Sequence, residues 1–193
     1  MLLLTGVVAY LLGSVPFGLV IARAFGLGDI RKVGSGNIGA TNVLRTGNKV
    51  AALLTLLLDA GKGALAVLAA RWMLGEEAAQ IAGFGAFLGH CYPLYLGFRG
   101  GKGVATYLGT LLALAWPLGL LACATWLVAA AVTRISSLSA LVAAALAPLW
   151  ALALGWSGLA VALVGMGALI FLRHRPNIRR LLAGEEPRIG RKP

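Results

Sequence analysis

The first apolar run, residues 2–24, has no charged side chain before Arg23, and this constrains the fold more than any other feature. A helix of about 20 such residues crosses the hydrocarbon core of a bilayer. Further apolar runs follow at residues 50–74, 78–96, 104–132, 141–154 and 159–172. Because 60% of the residues are hydrophobic and only 12% are charged, a soluble domain could not bury them all. The sequence therefore predicts an all-α integral membrane protein.

The number of spans depends on residues 104–132, which are too many for one span of about 20 residues. Trp116 and Pro117 interrupt this run, so we predict a hairpin there and about seven transmembrane helices in total. With seven spans, fifteen of the 17 Lys and Arg residues lie on one side, whereas a single central span would put the basic tail on the other. The positive-inside rule then predicts an outside N-terminus and a cytoplasmic C-terminus.

Three polar intervals, at residues 34–48, 89–106 and 173–186, are predicted to face the cytoplasm together, where they can form one site. The first reads GSGNIGATNVLRTGN. Its glycines let the backbone approach a ligand closely, and successive N–H groups in such a bend form an anion-binding concavity. A helix that begins near Thr41 would point its positive end at the same place, and Arg45 adds a guanidinium that matches phosphate oxygens. A flexible loop between two helices is the alternative.

The second polar interval surrounds Lys102 with Gly100, Gly101 and Gly103, just before the next predicted helix. This pattern again predicts an anion-binding loop, with the Lys102 ammonium as a mobile charge. It does not match the GxxxxGK[ST] pattern of nucleotide-binding loops, so the sequence does not support nucleotide hydrolysis.

The third polar interval opens the basic tail, residues 173–193, and contains His174, the titratable base near neutral pH in that tail. Asn177 follows three residues later and can orient an imidazole or a substrate hydroxyl. Both are therefore candidate catalytic residues. The alternative is a juxtamembrane basic cluster that binds anionic lipid head groups, which explains the arginines but requires neither residue.

Asp59 and Lys62 lie inside the second apolar run, where an isolated charge costs on the order of 2.5–3.5 kcal/mol. Their i,i+3 spacing lets them pair on one helix face, so we predict a structural ion pair or support of the site. For His90, at a predicted helix end, a structural hydrogen bond is favoured over a role as ligand or proton carrier.

Several other functions fit poorly. The basic residues lie between apolar runs, so membrane orientation and small anions explain the net charge of +11 better than nucleic acid. Two His, two Cys and six scattered carboxylates show no metal-ligand spacing, so no metal is expected. Cys91 and Cys123 are interpreted as packing residues, not as a disulfide. No Ser-His-Asp set is visible in the sequence, which leaves the chemistry to cations, backbone amides and His174.

Four segments together carry a family resemblance: SGNIGATN followed by Arg45, LDAGKG around Asp59, GHxxPxxxxFRGGKGVAT, and HRxNIxRLLxGxE. They closely resemble the motifs of the bacterial acyl-phosphate:glycerol-3-phosphate acyltransferases, the PlsY family. The resemblance covers residues 1–193 as one transmembrane domain. It implies transfer of a fatty acyl group from acyl phosphate to the 1-hydroxyl of glycerol 3-phosphate, giving 1-acyl-glycerol 3-phosphate and phosphate in phospholipid synthesis, with no cofactor.

The resemblance also implies partners and roles. The partners are acyl phosphate, glycerol 3-phosphate and membrane lipid, without an obligate protein partner, at the cytoplasmic face of the bacterial inner membrane. The candidate catalytic residues are His174, Asn177, Ser35, Arg45 and Lys102. The candidate phosphate-binding residues are Gly34, Gly36, Asn37, Gly39, Thr41, Asn42, Gly100, Gly101 and Gly103.

Two other classes of protein remain open at this stage. A small anion transporter would place its helix breaks near the midplane and repeat its halves, whereas the predicted breaks lie at cytoplasmic ends and no convincing repeat is found. A lipid-binding or assembly protein would leave SGNIGATN and GGKG without a purpose. The enzyme is the favoured interpretation.

Overall fold

The computed structural model describes residues 1–190, and every regular element in that range is helical. The α-helices are α1 (Leu2–Gly13), α2 (Phe17–Ala24), α3 (Ala40–Leu44), α4 (Lys49–Leu74), α5 (Glu76–Cys91), α6 (Val104–Leu114), α7 (Trp116–Thr133), α8 (Ser136–Ala153), α9 (Ser157–Arg173) and α10 (Arg175–Leu182). Short 3₁₀ turns lie at Ile30–Lys32 and Leu94–Leu96. The helices form two compact units, Met1–Leu114 and a second that begins at Ala115. The all-α prediction is confirmed, and a single domain stays a prediction.

Several of these helices are suited to a membrane. Within the described residues, four segments are long and apolar enough to cross one: Leu2–Ala24, Lys49–Leu74, Trp116–Thr133 and Ser136–Ala153. The pair α9 and α10, bent by 65°, makes up to five. Large apolar side chains on these helices face outward, and Leu3, Trp72 and Val161 are 84%, 88% and 83% exposed. Lipid suits such a surface and water does not, as expected for a multi-pass membrane protein. The count of seven and the orientation stay predictions.

Prolines set several helix boundaries. Pro16 separates α1 from α2, which together form the predicted first run with a break. The predicted interruption at Trp116 and Pro117 is also present, because α6 ends at Leu114 and α7 begins at Trp116. The third run is helical only to Cys91, short of the predicted residue 96, because Pro93 cannot donate to a continuing helix.

The interval between the predicted apolar runs 104–132 and 141–154 is shorter in the structure. Arg134 has a left-handed φ of 60° that ends α7, and α8 already begins at Ser136. Ser139 can remain helical because its hydroxyl finds a local acceptor, the Ile135 carbonyl (2.8 Å).

The direction of the helices in the first unit brings three helix ends together. The chain turns at Gly75, with a φ of 87°, so that α5 returns antiparallel to α4. Val67 therefore lies beside Gly83, and Asp59 lies beside His90. Helix α6 then runs parallel to α4, because Thr106 near its start donates to the Asp59 carbonyl (2.8 Å) and Leu114 at its end accepts from Arg71, further along α4 (2.9 Å). The start of α4, the end of α5 and the start of α6 lie at the same end of the unit.

Glycines allow the helices of the first unit to pack closely. A Cβ at Gly89 would overlap the Tyr10 carbonyl, and one at Gly109 would overlap the backbone of Ala60. Small residues at such positions let helix backbones approach each other, which is how helices associate in lipid.

In the second unit, α7 contacts α8 and α8 contacts α9. Helix α8 buries small side chains, and Trp150 Nε1 donates to Thr125 Oγ1 on α7 (3.1 Å). The tail folds back toward the start of α8, where the Ile189 N–H donates to the Arg134 carbonyl (2.7 Å). This bond holds Ile189 beside Arg134.

Candidate functional site

Asn42 organises the first polar interval. Its side chain is buried, and its Nδ2 donates to the Ile30 carbonyl (2.8 Å). Its Oδ1 accepts from both the backbone N–H and the hydroxyl of Ser35 (3.1 and 3.3 Å). The same oxygen accepts from Arg45 Nη1 (3.3 Å). An amide offers an NH₂ donor and a carbonyl acceptor on one side chain, so Asn42 holds the turn and the guanidinium in one arrangement.

The backbone on either side of Ser35 is left-handed, with φ of 53° at Gly34 and 68° at Gly36. This conformation favours glycine, and all three residues are exposed. A Cβ at Gly34 would come within 2.7 Å of Arg45 Cδ, so the arginine lies against the glycine. An exposed glycine turn with an adjacent guanidinium has the chemistry of a phosphate site.

The remaining predicted residues of this interval surround α3. Gly39 is its N-cap and the helix begins at Ala40, one residue before the predicted start at Thr41. Because α3 has only five residues, few peptide dipoles add up, and we expect the side chains and the turn to matter more than the helix dipole. Thr41 is exposed and Asn37 is half-buried.

Apolar side chains hold the first polar interval in place. Ile30, Ile38 and Val43 are buried in one cluster with residues of α2 and α4. Leu96, which shortly precedes the glycines of the second polar interval, packs against the same cluster. The first and second polar intervals therefore lie at the same end of the first unit, as the sequence predicts.

The glycines of the second polar interval are required by packing against the end of α5. A Cβ at Gly100 would overlap the carbonyl of His90, and one at Gly101 would overlap the His90 ring. A Cβ at Gly103, where φ is 82°, would overlap Phe87. The sequence suggested that these glycines make room for an anion, but their closest neighbours are protein atoms. Lys102 lies in this closely packed loop, just before α6, and its side chain is half-buried.

Asp59, Lys62 and His90 form a buried charged cluster, each at most 5% exposed. Lys62 Nζ lies 2.9 Å from Asp59 Oδ1, which confirms the predicted ion pair, and it also donates to the Val15 carbonyl (2.8 Å). That carbonyl lies in the break between α1 and α2. His90 Nδ1 approaches the same carboxylate oxygen at 3.5 Å. The cluster thus connects the broken first span, α4 and α5.

In the second unit, His174 is the C-cap of α9, directly after Arg173, and is 2% exposed. Its Nδ1 lies 2.8 Å from the Ile170 carbonyl. Because a carbonyl only accepts, we assign the proton to Nδ1, which leaves the acceptor lone pair of the neutral ring at Nε2. This tautomer suits a group that accepts a hydrogen bond or a proton from a hydroxyl.

Asn177, on α10, is buried and held by Glu186, the last residue of the motif HRxNIxRLLxGxE, for which we predicted no role. Asn177 Nδ2 donates to Glu186 Oε1 (2.5 Å), and Ser137 Oγ donates to the same oxygen (2.7 Å). Arg180 Nε donates to Glu186 Oε2 (2.7 Å). The carboxylate side chain is only 4% exposed. Burial alone would raise the pKa of Glu186, but the bonds from Ser137, Asn177 and Arg180 outweigh it and lower the pKa below its ordinary value.

A signal for Glu186 was present in the sequence, since Glu185 and Glu186 are the carboxylates in an otherwise basic tail. The motif HRxNIxRLLxGxE, which ends on Glu186 and leaves position 185 open, also singles out Glu186, but it does not show which side chains the carboxylate contacts. Within residues 1–190, no group of three or more His, Cys, Asp or Glu side chains is placed to hold a metal ion.

The fold and these polar intervals define a multi-pass helical membrane protein with anion-binding chemistry. A family model described as glycerol-3-phosphate acyltransferase matches residues 3–184. The chain therefore belongs to the glycerol-3-phosphate acyltransferase family, and the resemblance seen in its motifs is confirmed. As a member of this family, the chain transfers an acyl group to glycerol 3-phosphate.

Two related proteins match this chain over nearly its whole length. The chain is 69% identical to a glycerol-3-phosphate acyltransferase of Jannaschia sp. (strain CCS1), covering 97% of this chain and 93% of that one. It is 68% identical to one of Cereibacter sphaeroides (strain ATCC 17025), covering 99% and 91%.

Two crystal structures of PlsY (YgiH), an integral membrane glycerol 3-phosphate acyltransferase, are similar in fold. The glycerol 3-phosphate form has a TM-score of 0.92 at 41% identity, covering 98% of this chain and 96% of that one. The lysophosphatidic acid form has a TM-score of 0.91 at 40% identity, covering 98% and 95%.

Proposed function

We propose that this acyltransferase takes its acyl group from an acyl phosphate and transfers it to the 1-hydroxyl of glycerol 3-phosphate. The products are 1-acyl-glycerol 3-phosphate and inorganic phosphate. The observation that carries the proposal is the exposed turn at Gly34 and Gly36, with Arg45 held beside it by Asn42. A cation and a glycine turn on one surface suit a phosphate group, and both proposed substrates carry one.

In this proposal the first unit binds the phosphate of the donor. Ser35, Gly36, Asn37 and Thr41 contact the acyl phosphate, while Arg45 and Lys102 neutralise phosphate charge. Gly34 and Gly39 supply backbone conformation, and Asn42, being buried, acts by holding its neighbours. Preorganised donors of this kind contribute roughly 3–4 kcal/mol each to a transition state when the site is dry.

In the second unit, His174 and Asn177 position the attacking hydroxyl. The new bond joins this oxygen to the acyl carbonyl carbon, and the bond from that carbon to the phosphate oxygen breaks. The hydroxyl proton goes either to His174 Nε2 or to a substrate phosphate oxygen. The mixed anhydride is already activated, so the transfer needs no covalent enzyme intermediate.

The variant His174→Gln tests which acceptor is used. A general base typically contributes on the order of 10²–10⁴-fold, so a loss of that size supports His174 as the base. Turnover within about threefold of the wild type would instead assign the proton to the substrate phosphate.

We also propose seven spans in the bacterial inner membrane, with the N-terminus outside and the three polar intervals in the cytoplasm. Fifteen of 17 Lys and Arg residues on one side support this topology. Single cysteines placed at the exposed positions Lys49 and Ser157 in a Cys91→Ala/Cys123→Ala background test it. An impermeant thiol reagent added to intact cells should label position 157 and spare position 49, and the reverse result would overturn the orientation.

The donor is tested by phosphate release from detergent-purified protein. Palmitoyl phosphate would be supplied with and without glycerol 3-phosphate, and palmitoyl-CoA would be a parallel donor. Phosphate release that requires both substrates, with lysophosphatidic acid formed in equal amount, supports the proposal. Turnover with acyl-CoA alone would keep the acceptor and overturn the donor. Folded protein that moves glycerol 3-phosphate into vesicles without consuming it would instead indicate a transporter.

A further inference from the structure

The second polar interval is attached to the buried charged cluster through one residue, His90. The His90 carbonyl accepts from the Gly101 N–H (3.1 Å). The His90 ring is so close to Gly101 that a Cβ on that residue would overlap Nε2. On its other edge, Nδ1 lies 3.5 Å from Asp59 Oδ1. One imidazole thus spans from a buried carboxylate to the residue immediately before Lys102.

Asp59, beside His90, is itself held by Lys62 at its carboxylate and by Thr106 at its backbone carbonyl. Lys62 Nζ lies 2.9 Å from Asp59 Oδ1 and also donates to the Val15 carbonyl. The Asp59 carbonyl accepts from Thr106 Oγ1 on α6, the helix that follows the loop. The loop that contains Lys102 is therefore supported at Gly101 by His90 and just beyond its end by Thr106. Both supports lead to Asp59.

We propose that His90 is a positioning residue for catalysis, which sets the backbone of residues 100–103 and thereby the place of the Lys102 ammonium. The inference rests on the proposed function, in which Lys102 neutralises phosphate charge. Asp59 and Lys62 then act through His90 and do not touch the substrate. Burying the charges of Asp59 and Lys62 inside a membrane costs free energy, and in this proposal these charges hold the residue that positions Lys102.

Two substitutions of His90 test the contacts of its two ring nitrogens separately. The amide of Asn reproduces Nδ1, toward Asp59, whereas the amide of Gln reproduces Nε2, toward Gly101. If the contact with Gly101 matters, His90→Asn should lower kcat by about tenfold or more, because misplacement near 1 Å is costly in enzymes, and His90→Gln should lose less. Equal losses in the two variants, or normal turnover in both, would overturn the proposal.

A double-mutant cycle with Lys102→Arg tests whether His90 acts through Lys102. We expect His90→Asn to cost less than about threefold once Lys102 is already changed. Fully multiplicative losses would overturn the positioning role while leaving the proposed function intact. A separate Lys102→Gln variant removes the charge, and wild-type turnover of that variant would instead refute the charge-neutralising part of the proposed function.

Hydrogen exchange gives a readout that does not depend on activity. In His90→Asn, the amides of a peptide covering residues 98–106 should exchange faster than in the wild type. Arg71→Ala serves as the destabilised control, since Arg71 donates to the carbonyls of Ala113 and Leu114 at the far end of α6. It should lower the midpoint of thermal unfolding but leave both kcat and exchange at residues 98–106 unchanged. The same exchange increase in Arg71→Ala would reduce His90 to a general stabiliser.

Gly101→Ala keeps the proposal testable if His90→Asn does not fold. It disturbs the same contact from the side of the loop and leaves the buried charges in place. The expected result is a loss of kcat that is again small in the Lys102→Arg background. A wild-type rate for Gly101→Ala would overturn the inference.

Discussion

Asn177 Nδ2 and Glu186 Oε1 lie 2.5 Å apart, so the residue proposed to orient the acceptor hydroxyl is itself oriented by a carboxylate nine positions later. Glu186 receives two further bonds, from Ser137 at the start of α8 and from Arg180 on α10. Residues 174–186 are therefore a folded part of the second unit. A juxtamembrane cluster that only attracted lipid head groups would need no such buried acceptor.

The first prediction concerns Glu186→Gln. The substitution removes the charge and puts an NH₂ group among three donors, so the bond to Asn177 weakens and its side chain is released. We expect kcat to fall by about tenfold or more, in keeping with the cost of small misplacements near reacting atoms. Phosphate release at saturating substrate is the measurement.

The neighbouring Glu185→Gln is the matched control, because it removes the same charge from an exposed position. It should retain turnover within about twofold of the wild type. A similar loss in both variants would mean that tail charge, and not the contact with Asn177, is what matters.

A second prediction follows from the pKa of Glu186. Three hydrogen bonds hold it below the ordinary value of 4.5, so ionised Glu186 stabilises the folded protein at pH values above 4.5. This contribution disappears as the pH falls through the lowered pKa. Thermal unfolding of the wild type should therefore lose stability below pH 4.5 more steeply than that of Glu186→Gln. Parallel curves for the two proteins in that range would contradict the assignment.

Fold class, helix breaks at proline, the Asp59–Lys62 pair and the polar intervals were predictable because each depends on local sequence. The length of an apolar run predicts a membrane-spanning helix, and the i,i+3 spacing of Asp59 and Lys62 predicts their ion pair. What local sequence could not show is which atoms fill the space beside a glycine. Gly101 is small because the His90 ring occupies that space, and this follows only from the antiparallel return of α5. The inward turn of Glu186 likewise depends on Ser137, 49 positions away.

A third prediction concerns Asn42→Asp. The carboxylate still accepts from Ser35 and Arg45 but cannot donate to the Ile30 carbonyl, so two buried oxygens would face each other. An unsatisfied buried group costs about 1–3 kcal/mol, more when charged, and the turn beside Arg45 should loosen. We expect KM for the acyl phosphate to rise by about tenfold or more in steady-state kinetics.

Asn48→Ala provides the comparison for Asn42→Asp. Asn48 caps α4 through a bond to the Ala51 N–H (2.9 Å), and losing such a cap costs about 1 kcal/mol. This variant should unfold at a lower temperature but keep the wild-type KM. A matching rise in KM would show that loop stability in general controls donor binding.

The last prediction tests the close packing of α1 and α5 with a pair of glycine-to-alanine changes. At Gly89 the added Cβ would overlap the Tyr10 carbonyl, and backbone atoms cannot move aside without separating the helices. Overpacking of this kind costs typically about 1–3 kcal/mol, so Gly89→Ala should lower the unfolding midpoint in detergent. At Gly61, on α4, nothing lies within 4 Å of the added Cβ. Because Ala is favoured over Gly inside a helix by up to about 1 kcal/mol, Gly61→Ala should leave the midpoint unchanged or raise it. Equal effects at the two positions would mean that α1 and α5 are not packed as closely as their glycines permit.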